Sequence, residues 1–214
     1  MSDEGRELWL ATRSLSELGE LTASWLEGRI GYLTSGATPQ PDDEIWALVP
    51  ALAAVNRAGF VTDSSQPGQP AGARSPGWIQ RAAVTGFCDY DTKNRIAALG
   101  LKTDLVALAS PPGAEFDLSM TAINARLFKM DWVVRMSGAH VCVSSNGERG
   151  VSHVGGRLDD AYIDRVYGGE VHPDGVRALH EAWQVAIVDP VWGRNDLLWP
   201  RLVEALTDLL ERLP

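Results

Sequence analysis

Thr62, Ser64, Ser65 and Gln66 bring three hydroxyls and one carboxamide together within five residues. Such groups at the end of a strand can fix a small polar ligand. They can equally end a strand in a hydroxyl-capped turn. An enzyme needs an acid or base with a shifted pKa in a cleft, so a catalytic reading begins with the carboxylates Glu44, Asp189 and Asp63. Asp189 precedes Pro190, and Asp-Pro after an apolar run is more simply a turn initiator.

Other chemistry-bearing residues form no motif. The histidines are His140, His153, His172 and His180, and no two stand at i, i+4 as zinc ligands on a helix would. Ser152-His153 with Asp159 and Asp160 has the residue types of a triad, but a triad is defined by geometry in space. Residues 145–150 have the look of a small anion-binding loop, yet Asn146-Gly147 is first of all a hairpin turn. The phosphate-loop, dinucleotide, zinc-protease and nucleophile-elbow signatures are absent. No catalytic residue, metal ligand or bound cofactor is expected.

These residues must be positioned by an alternation of helices and strands. Ser14 caps a helix carrying Leu18, Leu21, Trp25 and Leu26 at helical spacing, and Gly28 stops it. Asp42 or Asp43 caps a second, with Ile45, Leu48, Leu52 and Val55 on one face and a kink or break at Pro50. Phe60 to Asp63 reads as a short strand, and Ser64 to Gly77 as a loop rich in Pro and Gly. Strands are expected over 80–87, 104–109, 132–136, 140–144 and 183–188. Helices are expected over 93–99, 117–127, 159–167 and 174–181. A last helix, capped by Asn195 or Asp196, carries Leu198, Leu202, Ala205, Leu206, Leu209 and Leu213 on one face. The order lacks a clean βαβ rhythm, so the expected class is α+β with a mixed or antiparallel sheet flanked by helices, and α/β is the alternative.

The 214 residues suit a single domain over 1–214, with 1–13 loosely ordered. Hydrophobic residues at 45% and charged residues at 22% exclude a disordered chain. A net charge of −9 argues against gripping a phosphate backbone, so no nucleic-acid partner is expected. No run approaches a membrane span, and the acidic N-terminus has no signal-peptide core. Two cysteines, Cys88 and Cys142, make no disulfide framework and fit a reducing, cytoplasmic setting. Arginine outnumbers lysine 16 to 3, as expected from a GC-rich bacterial genome. The 8 tryptophans are read mainly as core.

Residues 42–88 and 183–210 resemble the C-terminal regulatory domain of eukaryotic methylenetetrahydrofolate reductase. Glu44, the Asn56-Arg57-x-Gly59 step, Thr62 and Ser65-Gln66-Pro67 match in register. Trp78 and Gln80-Arg81-Ala82 follow, as do Ile187-Val188-Asp189 and then Trp199 on a closing helix. The resemblance implies the same α+β fold in a stand-alone bacterial relative without the reductase barrel. It also implies a non-catalytic site for S-adenosylmethionine or S-adenosylhomocysteine, with Glu44, Thr62, Ser65 and Gln66 as ligand-binding residues. Ile45 departs from the pattern, since the family has a threonine there.

The expected function is therefore a small-molecule-binding regulatory domain for a nucleoside-like ligand. A second reading is a ligand-free protein–protein interaction module, with a homodimer as one partner. A third is an enzyme with its site near Glu44 or Asp189.

Overall fold

Strand β8 (Trp183–Val188) runs between two antiparallel neighbours, β3 (Ala83–Cys88) and β4 (Val106–Ser110). Beyond β3 lies β1 (Val61–Gln66), which gives a sheet of order β1-β3-β8-β4. The structure is a computed structural model that describes residues 3–31, 41–113, 130–135 and 137–207.

Successive side chains of a strand point to opposite faces. On β8, Val185 and Ile187 enter a core with Leu52, Phe60, Ile96 and Leu202. Ala186 and Val188 enter a second core with Val141 and Val143. Both faces of the strand are covered, which is why Val185–Val188 is an unbroken apolar run rather than an alternating one.

The layer over the second face is another antiparallel sheet. Its strand β6 (Gly138–Ser145) pairs with β5 (Trp132–Arg135), β2 (Ile79–Gln80) and β7 (Gly150–Gly155). The first face is covered by α3 (Val49–Arg57), α4 (Tyr90–Lys102) and α7 (Leu198–Thr207). Helix α2 (Leu15–Leu26) contributes Trp25 and Leu26 to that core. A third cluster unites Trp9, Leu18, Phe87, Ile163 and Leu179. It joins α1 (Asp3–Ala11) and α2 to α5 (Asp160–Tyr167) and α6 (Pro173–His180). The architecture is α+β, layered helix on sheet on sheet.

Local signals act as their chemistry dictates. Ser14 Oγ accepts from the Glu17 amide at 3.2 Å, and Glu17 reaches back to the Arg13 amide at 2.6 Å, so both ends of the first turn are capped. Helix α2 then lies close on α3, because a Cβ on Gly19 would run into the Asn56 carbonyl oxygen. Pro50 stands in the first turn of α3, where its missing N–H is harmless. The break expected near it falls just before, where a 3-10 helix (Asp43–Leu48) hands over to α3.

Several expectations differ from the structure. Residues 1–13, expected to be loosely ordered, contain α1, whose Trp9 is only 1% exposed. The strand expected to end at Asp63 continues to Gln66, so Ser64 and Ser65 are ladder residues rather than a turn. The strand expected over 80–87 is two, because the chain leaves one sheet and enters the other between Gln80 and Ala83. Strand β7 was not expected, since Gly150–Gly155 has no apolar alternation strong enough to announce it. The helix expected over 117–127 lies outside the described residues, as do Leu209 and Leu213.

Candidate functional site

Asn56 is fully buried near the end of α3 and holds the start of β1. Its Nδ2 donates to the Leu52 carbonyl and to Thr62 Oγ1, both at 2.8 Å, and its Oδ1 accepts from the Thr62 amide at 2.9 Å. Next to it, Arg57 clamps α3 onto α2 through Glu20 at 2.9 Å and Glu27 at 2.7 Å. The Arg57 hydrogen bond holds the Glu27 carboxyl below its usual range. At the far end of β1, Gln66 Nε2 donates to the Arg81 carbonyl at 2.8 Å and the Val143 carbonyl at 3.1 Å, joining the two sheets. Thr62 and Gln66 are thus tied into the fold.

Around Gln66 lies a knot of buried polar groups. Gln80 Nε2 donates to the Pro67 carbonyl at 2.9 Å. Asp189, fully buried, accepts from Arg194 Nε and Nη2, each at 2.7 Å, and from the Val191 amide at 2.9 Å. Asn195 Oδ1 accepts from the Gly68 amide and from Trp199 Nε1, both at 3.0 Å. Both oxygens of Asp189 are engaged, so it presents no free carboxylate to a substrate.

Glu44 is placed differently. The 3-10 helix sets it on the wall of an open depression of about 610 Å³, with Asp42, Asp43, Gln69, Ala73 and Arg74. Gln69 Nε2 and Arg74 Nη1 each approach Glu44 Oε2 at 3.4 Å, at the long limit of hydrogen bonding. Trp46, 48% exposed, stands on the same 3-10 helix and donates to Asp43 at 3.3 Å. The Arg74 guanidinium lies 5.6 Å from the Trp78 ring centroid, and the indole N–H of Trp78 is buried without a hydrogen-bond partner. Ser65 sits opposite Val84 in the ladder and lines neither this depression nor the cleft described next. Of the four residues expected to bind a ligand, Glu44 lines a depression of ligand size, while Thr62 and Gln66 are engaged in hydrogen bonds within the fold.

A second concavity opens between the two sheets. The β1–β3 pairing shifts between Thr62 and Ser64, leaving Asp63 as the extra residue of a β-bulge. Asp63 lines a cleft of about 190 Å³ walled by β3, β8 and β7. The turn after β7 forms part of the wall through Gly155 and Gly156, at φ 110° and 70°, a backbone region that glycine alone enters freely. Gln184 is fixed there by the Leu158 backbone, accepting at 2.7 Å and donating at 3.3 Å. Tyr167 Oη donates to Asp63 Oδ1 at 3.5 Å. Burial pushes the Asp63 carboxyl above its usual range, and the Tyr167 contact only partly opposes this. Burial and the Asp63 charge push the Tyr162 and Tyr167 phenols up in turn. On β7, burial and the Arg135 charge hold His153 below the ordinary imidazole value. Sequence reasoning marked Asp63 as titratable but missed Tyr167 and the glycine pair, which become partners only through the fold.

Fold and sites together define an α+β domain with an open, Glu44-lined depression and a carboxyl-bearing inter-sheet cleft. The chain belongs to the family described as a domain of unknown function, DUF6919, whose model matches residues 4–128 and 114–209. No curated protein matches the sequence. No helix of the described residues is long and apolar enough to cross a membrane.

Proposed function

We propose that this chain is a non-catalytic binding domain for a nucleoside-type ligand, S-adenosylmethionine or S-adenosylhomocysteine, held in the Glu44 depression. The observation that carries the reading is the Glu44 carboxylate itself, on the wall of a depression of about 610 Å³. Ligand sites commonly span roughly 300–1,000 Å³. A carboxylate held only by long contacts can accept from a ribose diol, as acidic residues do in dinucleotide sites. Arg74, on the same wall, offers a fork for the carboxylate of the amino-acid end. A cytoplasmic location goes with the proposal, since Cys88 and Cys142 are both buried and unpaired.

The test is thermal unfolding with S-adenosylmethionine, S-adenosylhomocysteine and adenosine. A ligand at 100 times its Kd stabilises by about 2.7 kcal/mol, on the order of 5–10 °C for a chain of this size. The shift is expected in the wild type and lost in Glu44→Ala. The absence of any shift at millimolar ligand would sink the adenosyl reading.

A further inference from the structure

The chain holds the buried Asp189 and the half-buried Asp63 in opposite ways. Asp189 is met by an arginine and a backbone amide. Asp63 meets one phenol at 3.5 Å, and no lysine, arginine or histidine of the described residues pairs with it. A carboxylate partly withdrawn from water without a cation beside it carries a desolvation cost that a bound cation would offset. The bulge takes Asp63 out of the regular ladder and puts it on the wall of an enterable cleft, where Ser64, at the rim, is exposed.

We propose that the inter-sheet cleft is a second binding site, taking a short organic cation, an alkylammonium or guanidinium, whose charged end is received by Asp63. The other walls suit such a guest. Thr85 and Ser64 offer hydroxyl oxygens as further acceptors, while Phe87, Leu158 and Ala186 give the cation's stem an apolar lining. The volume of about 190 Å³ equals that of about six water molecules, so the guest has about that many non-hydrogen atoms. That excludes a whole nucleoside, and the carboxylate disfavours an anion. The site is independent of Glu44, which does not line it.

Titration calorimetry with propylammonium and methylguanidinium, against propanol and propionate of the same size, tests the proposal. Saturable binding of the two cations is expected, with no binding of the neutral or anionic counterparts. Asp63→Asn is expected to weaken it about tenfold or more, the effect of losing a charged hydrogen-bond partner. Glu44→Gln is expected to leave it unchanged, so this result and the outcome of the adenosyl titration stand apart. If Asp63→Asn does not fold, the Asp63 carboxyl carbon followed by NMR in the wild type reads the same contact. Cations that bind no better than propanol, or bind Asp63→Asn as tightly as wild type, overturn the proposal, as does an Asp63 resonance that ignores them.

Discussion

The guanidinium of Arg81 lies 3.8 Å over the ring centroid of Trp192, with no carboxylate of the described residues in ion-pairing reach. Arg81 is 5% exposed, and its remaining bonds run to the Pro190 carbonyl at 3.1 Å and the Cys142 carbonyl at 2.7 Å. Burial pulls its pKa below the ordinary arginine value. Carbonyl oxygens and a π face thus make the direct contacts, with the Asp131 and Asp189 charges acting from farther off, at the point where the chain crosses from one sheet to the other. A lysine cannot reproduce both carbonyl contacts and the flat stack. Arg81→Lys and Trp192→Ala are each expected to destabilise by about 1–3 kcal/mol in urea unfolding. Because the two share one contact, the double variant is expected to lose less than the sum.

Asn56 gives a sharper separation of fold from function. Asn56→Ala leaves the half-buried Thr62 amide without its acceptor, and a loss of about 1–3 kcal/mol is expected by chemical denaturation. Thr62→Val keeps that amide bond and removes only the hydroxyl acceptor. It is expected to cost less than Asn56→Ala and to leave the affinity for S-adenosylmethionine unchanged, since the hydroxyl is held by Asn56. A large loss of ligand affinity in a stably folded Thr62→Val would return Thr62 to the binding site.

This distinction explains what the sequence could and could not reveal. Helix α2 and strands β4 and β8 were legible because capping and apolar runs are local signals, written where they act. The α+β class followed from their order. The division of 80–87 between two sheets was not legible, because no turn residue separates Gln80 from Ala83 and only the partner strands differ. At the site, Glu44 and Asp63 were visible as residue types. Nothing near Thr62 announced that Asn56 would engage both its amide and its hydroxyl, or near Gln66 that its amide would bridge two sheets. Polar residues grouped in sequence were as suited to stapling backbone as to holding a ligand, and burial decided between them.

Asp63 makes stability depend on pH in a defined direction. Its folded pKa is raised by burial, so the folded state holds the proton more tightly than the unfolded chain. Asp63 therefore favours folding least when ionised, and its penalty grows as pH rises through the folded pKa. Asp63→Asn removes that penalty. The variant is expected to melt above wild type at pH 7, with the gap closing toward pH 4. Tyr167 and Tyr162 stay protonated throughout this range, both pushed up. A wild type more stable than Asp63→Asn at pH 7, without added amine, would mean that the carboxylate has a partner within the fold.

His180 works in the opposite sense. It ends α6 and bridges to α5, with Nδ1 at 3.2 Å from Asp160 and Nε2 at 2.9 Å from Asp164. Burial alone would lower its pKa, but the bonds to Asp164 and Asp160 outweigh this and lift it. Both ring nitrogens must carry protons to donate to both carboxylates, so the clip is complete only in the imidazolium form. A raised folded pKa means the stabilisation is full below the unfolded value of about 6.5 and is lost as pH rises through the folded value. All three side chains are partly exposed, and screening keeps the effect below about 1 kcal/mol. Urea unfolding at pH 5.5 and 8.5 is expected to show wild type losing its advantage over His180→Gln at the higher pH. Equal differences at both pH values would mean that the clip holds by neutral hydrogen bonding alone.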